Sequence, residues 1–197
     1  GLGDVYKRQV YTPAEGQGLP AVAFGHDWMH KIKDYHATLR HLASWGIVVV
    51  APNSETGMFP DHRNLSADME SALQIAAGVK LGTGNITVSP GKLGMIGHGM
   101  GGGTAVLSAV DNPKVKAVAA IYPAVTAPSA VEAARSLDTP GLVIGSGRDD
   151  IFNAGNPAKL AYNWRGQVAF RAIDKGTQAG FSEDRFRKLA IGSGAFQ

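Results

Sequence analysis

Apolar runs that do not alternate are what most constrain this chain. Residues 47–51 read Ile-Val-Val-Val-Ala and residues 117–122 read Ala-Val-Ala-Ala-Ile-Tyr. A strand with apolar side chains on both faces has to be covered on both faces, which is the signature of a parallel sheet between layers of helices. Further strands are expected at Pro20–Phe24, Lys92–Gly97, Pro140–Gly145 and Gln167–Ile173, beside Ile47–Ala51 and Val115–Tyr122. Helical patterns fall between them, at residues 32–45, 65–78, 100–110, 129–136 and 155–163, with another after the last strand at 183–192. Strands alternating with helices imply a three-layer α/β architecture with a mostly parallel sheet and helices on both faces. In such sheets the functional positions lie in the loops at the carboxyl ends of the strands.

Composition removes several classes of chemistry. The chain has no cysteine, so disulfides, thiolate metal sites and a cysteine nucleophile are excluded together. Its net charge of +3 is scattered, with no basic cluster interleaved with aromatics, and no nucleic-acid partner is expected. No apolar run approaches the roughly 18 residues that a membrane span requires. With 197 residues and neither a repeat nor a low-complexity linker, the chain reads as one domain.

The most informative segment is Lys92-Leu-Gly-Met-Ile-Gly-His-Gly-Met-Gly-Gly-Gly-Thr104, a strand running through a glycine turn into a helix. Gly97, Gly99 and Gly102 satisfy the dinucleotide-binding pattern G-x-G-x-x-G. That reading needs an acidic residue closing the next strand to hold a ribose, and the next strand closes Ala120-Ile121-Tyr122-Pro123. The competing reading is the nucleophile elbow G-x-S-x-G, which lifts a hydroxyl out of a strained strand-to-helix turn. Every small residue of that pattern is present, but the serine position holds Gly99.

The segment resembles the elbow of the α/β-hydrolase superfamily, in particular of the cutinase-like polyester hydrolases and their dienelactone-hydrolase relatives. The likeness extends over His41-Leu-Ala-Ser-Trp-Gly-Ile-Val-Val-Val-Ala51, over Ser89-Pro-Gly-Lys-Leu93 and over Gly141-Leu-Val-Ile-Gly-Ser-Gly-Arg-Asp149. It implies an α/β-hydrolase fold with N-terminal strands missing, and it puts Asp149 at the triad acid position. Relatives place G-x-S/T-H-x-x-F after the last strand. The corresponding run here is Gly176-Thr-Gln-Ala-Gly-Phe181, so Gln178 stands at the histidine position. The opening Gly1-Leu-Gly-Asp-Val-Tyr-Lys-Arg-Gln9 resembles translated sequencing-adapter read-through at the ends of metagenomic gene fragments. The expectation is therefore an artefact over residues 1–9 and a single hydrolase-like domain, itself a fragment, over residues 10–197. Neither compartment nor oligomeric state is legible.

What the resemblance implies about activity is negative. Acyl transfer needs a nucleophile, a base and donors for the oxyanion. Gly99 has no side chain to attack with, and Gln178 cannot take a proton near neutral pH. The oxyanion donors would be the backbone N–H of Met100 and one near Trp28, where relatives often carry His-Gly or Pro-Gly just before the donor. Here those residues are His26 and Asp27, and the extra carboxylate should oppose a developing oxyanion. The expectation is a serine-hydrolase pseudoenzyme with no cofactor, whose partner is a small acyl or ester-like ligand. The alternative is an active ester hydrolase with a non-standard site, such as a metal-bound water at His26, Asp27 and His30, whose spacing echoes H-E-x-x-H outside a helix. Ser54, Glu55, Asp61 and His62 form a polar loop read as solvated surface. Trp28, Met58, Phe59 and Trp164 are read either as apolar cleft walls or as core and rim packing. His98 and Ser108 are read as packing.

Overall fold

The computed structural model describes residues 8–78, 84–146, 155–173 and 181. Among these residues seven strands form one sheet: β1 Arg8–Tyr11, β2 Gly16–Gly25, β3 Val48–Pro52, β4 Ile86–His98, β5 Val115–Ile121, β6 Gly141–Ser146 and β7 Val168–Ile173. Their spatial order is β1-β3-β2-β4-β5-β6-β7, parallel throughout except for β1, which pairs antiparallel with β3 in the register Arg8↔Pro52 to Tyr11↔Val49. The helices are α1 His36–Ser44, α2 His62–Gly78, α3 Met100–Ala109, α4 Ala130–Ala134 and α5 Asn156–Asn163.

Burial explains the layers. All five residues of β3 are buried, as a both-faces-apolar strand requires. One sheet face carries Ala21, Ala23, Val50, Met95, Val118 and Val143 into a core with Leu65, Met69, Val106 and Leu160 from α2, α3 and α5. The other face carries Phe24, Val49 and Ala51 against Ile32, Tyr35 and Leu39 at and before α1. Helices thus cover both faces, and the architecture is that of an α/β-hydrolase. Among the described residues no helix is long and apolar enough to cross a membrane.

Three departures from the sequence expectation have local causes. β4 begins at Ile86 rather than Lys92, because the Pro90-Gly91 punctuation is absorbed as a register irregularity against Leu19 and Ala21 and does not end the strand. The helix expected over 32–45 is a 3₁₀ turn at Ile32–Tyr35 followed by α1, its entry held by the Ile32 N–H donating to Asn53 Oδ1 at 3.1 Å. β1 is too short to show a period, and it forms by lying along the edge of β3. The helix expected at 183–192 lies outside the described residues.

The strand order reverses direction at β2. From β2 the chain crosses to β3 on one side, then returns over α2 to β4 on the other side. The carboxyl ends of β2 and β4 therefore part around a crevice, the place where doubly wound sheets put their ligands.

Candidate active site

Gly99 sits in that crevice, between β4 and α3, with φ 60° and ψ −123°. This is the left-handed half of backbone space that L-residues avoid and glycine enters without strain. Hydrogen bonds hold the turn from both sides. The Gly99 N–H donates to Ile121 O at 3.0 Å, and Gly99 O accepts from Gly102 N–H at 3.0 Å and Ala124 N–H at 2.9 Å. The turn can be this tight because α3 lies directly on the strand ends. A Cβ at Gly97 would run into the Gly101 carbonyl, and one at Gly101 would run into the Gly25 carbonyl. The glycine spacing is thus required by backbone-to-backbone packing, whatever the turn presents.

Across the crevice, β2 ends in Gly25-His26-Asp27-Trp28. Asp27 is buried, and its Oδ1 accepts two backbone N–H groups: that of Trp28 at 2.7 Å and that of Met100 at 3.0 Å. Met100 is the first residue of α3, so the carboxylate also lies at the positive end of a helix dipole. The Trp28 bond is shorter than an ordinary N–H···O hydrogen bond, and the Met100 bond is of ordinary length. A Cβ built on Gly99 would fall inside this same carboxylate. The Asp27 N–H donates to Tyr35 Oη at 3.0 Å, and Tyr35 Oη is hydrogen-bonded to Nδ1 of the fully buried His98 at 2.8 Å. Phe181 lies over His98 with ring centroids 4.9 Å apart and over Tyr35 at 6.2 Å.

A scan of the chain finds the dienelactone hydrolase family over residues 6–174. The chain belongs to the dienelactone hydrolase family. No curated protein matches it. The family is one of α/β-hydrolase fold, in keeping with the sheet order and with the strand–turn–helix at Gly99.

The remaining sequence-predicted residues fall out as follows. Asp149 and Gln178 lie outside the described residues. His26 is fully buried, and both its ring nitrogens face backbone carbonyls, Nδ1 toward Asp27 O at 2.8 Å and Nε2 toward Ser54 O at 2.6 Å. Both ring nitrogens are therefore taken up by backbone oxygens. His30 spends Nδ1 on Trp28 O at 2.8 Å, and among the described residues no group of three or more His, Cys, Asp or Glu is arranged to hold a metal ion. His26, Asp27 and His30 therefore tie the loop after β2 together, with His26 pinning it to the loop after β3.

The polar loop after β3 is more engaged than a solvated surface. Ser54 Oγ donates to Asp68 of α2 at 2.5 Å, the Asp61 N–H donates to Glu55 at 2.9 Å, and His62 Nδ1 accepts the Ala127 N–H at 3.0 Å. Burial holds His62 below its ordinary value, against the opposing pull of Asp61 and then Glu55. Trp28, Met58 and Phe59 are exposed and form an apolar rim, with the Trp28 indole N–H donating to Met58 O at 3.0 Å. Trp164 is instead core: it is buried against Gly141 at the amino end of β6, with its indole N–H on Thr139 O at 2.8 Å, and it lines no part of the crevice. Ser108 is buried and donates to Ala105 O within α3. Sequence reasoning missed Tyr35, which bridges the two halves of the site. It reads as one more apolar position of a helix, and nothing local marks its hydroxyl.

Proposed function

We propose that this chain is a catalytically impaired member of the dienelactone hydrolase family, a pseudoenzyme whose crevice binds a small acyl or ester-like molecule without cleaving it. Gly99 stands at the nucleophile position, Gln178 at the base and Asp149 at the acid, and the first two cannot perform acyl transfer. Loss of either group costs several orders of magnitude, and loss of both costs little more because they act as a unit.

The observation that carries this reading is the turn itself. Its backbone has the positive φ that presents a nucleophile, yet it presents no side chain. The Trp28 and Met100 N–H groups are the ones an acyl oxyanion would need, and Asp27 already takes both. The rim of Trp28, Met58 and Phe59 supports an apolar ligand at the mouth.

Two measurements test the proposal. Hydrolysis of p-nitrophenyl acetate and butyrate by the purified, metal-free chain should not exceed the buffer rate, with or without added zinc. Turnover well above buffer would overturn the reading, and turnover that needs zinc would redirect attention to His26, Asp27 and His30. Methyl butyrate should raise the melting temperature of the parent, and a flat response would leave the fold without the ligand proposed for it.

A further inference from the structure

Gly99 and Asp27 are 72 positions apart in sequence, yet they compete for the same volume. The carboxylate of Asp27 occupies the space where a side chain on Gly99 would begin. It also supplies the negatively charged oxygen that the Trp28 and Met100 N–H pair is built to receive, at 2.7 and 3.0 Å. One sp² oxygen accepting two converging backbone donors at a helix N-terminus makes the same electrostatic demand as the oxyanion of an acyl-transfer intermediate.

We propose that Asp27 is a built-in oxyanion: a permanent intramolecular occupant of the anion site, locked to Gly99 as a matched pair. Exchanging either residue alone disturbs the other. A side chain at position 99 collides with a carboxylate that its two N–H bonds hold in place. A shortened residue 27 leaves a vacant, dipole-backed anion site that takes a small monocarboxylate. The absence of a nucleophile is therefore only half of the impairment. Restoring serine and histidine without clearing Asp27 yields an enzyme whose oxyanion hole is already filled by a negative charge.

The proposal rests on the reading of this crevice as a retired acyl-transfer site, but the two fail separately. Ester turnover by the parent ends that reading, whereas the lock is tested on folded stability. The experiment is a double-mutant cycle of Gly99→Ser and Asp27→Gly, followed by melting temperature. In the parent background Gly99→Ser should lower the melting temperature by about 5 °C or more, and in the Asp27→Gly background most of that loss should vanish. The strain of a serine at positive φ is common to both backgrounds and cancels in the cycle. Equal losses in the two backgrounds overturn the lock.

Titration with formate does not depend on the folding of any serine variant. Formate should raise the melting temperature of Asp27→Gly in a dose-dependent way and leave the parent unmoved, chloride serving as the ionic-strength control. Equal responses, or none in the variant, overturn the anion site. The activity corollary is graded: Gly99→Ser/Gln178→His stays near buffer, and adding Asp27→Gly raises ester hydrolysis by about 10²-fold or more. A double variant as active as the triple one refutes the claim that Asp27 blocks the hole.

Discussion

Replacing Tyr35 with phenylalanine removes one oxygen and keeps the ring, so its effect isolates the bridge between the two halves of the site. The ring stays packed on Phe24, whose centroid is 4.8 Å away, and no apolar burial is lost. What goes is the hydroxyl that accepts the Asp27 N–H at 3.0 Å and is hydrogen-bonded to His98 Nδ1 at 2.8 Å. Tyr35 and His98 are fully buried and Asp27 nearly so, so water cannot take over both bonds without rearrangement. Taking the partner from a buried polar group costs about 1–3 kcal/mol per group. Two groups sharing one vacancy put Tyr35→Phe at about 2–4 kcal/mol, since one rearrangement can serve both. For a chain of this size that is a fall in melting temperature of about 4–15 °C. Urea unfolding of the parent and Tyr35→Phe should show a lower midpoint at an unchanged slope. Tyr162→Phe, at a tyrosine 90% exposed, is the control and should change nothing beyond about 0.5 kcal/mol. A Tyr35→Phe midpoint that overlays the parent would refute the reasoning, because the hydroxyl would then not be holding the loop after β2 to the turn after β4.

Three further outcomes are expected. Gly97→Ala forces a methyl into the Gly101 carbonyl with backbone on both sides, so it should cost more than about 3 kcal/mol, the upper end of ordinary overpacking, as read by urea midpoint. His62 lies below its ordinary 6.5, so the unfolded chain takes up that proton first. Stability should therefore fall as pH drops through 6.5 toward the folded value, and His62→Asn should flatten that part of the profile. Burial, and then the neighbouring Asp111, raises Glu70 above its ordinary 4.5, so the folded chain holds this proton longer and loses stability as pH rises past that value. Glu70→Gln should stabilise slightly at about pH 7, by no more than ~0.5 kcal/mol, and leave acid stability unchanged.

The sheet was legible in the sequence because burial leaves a local trace. Ile47-Val-Val-Val-Ala51 reads as a strand covered twice, and six of the seven strands among the described residues follow from short apolar or β-branched runs, although β7 is largely exposed. The turn at Gly99 was legible for the same reason, since strand, glycine spacing and helix start lie within 13 consecutive residues, Lys92 to Thr104. β1 was not, because four residues carry no period and an edge strand is chosen by the neighbour that pairs with it. The family likeness nominated Trp28 and Met100 as donors and treated Asp27 as a neighbouring charge. Only the tertiary structure brings both donors onto one oxygen of Asp27.

The physical reason is the strand order. Hydrophobic period and turn chemistry are properties of a few consecutive residues, and they specify elements one at a time. Which loops face each other depends on how those elements stack. Here β2 and β4 are neighbours although β3 and α2 lie between them in sequence. That adjacency brings Asp27 to the Met100 N–H across 73 positions and Tyr35 to His98 across 63, and no window of sequence contains either pair.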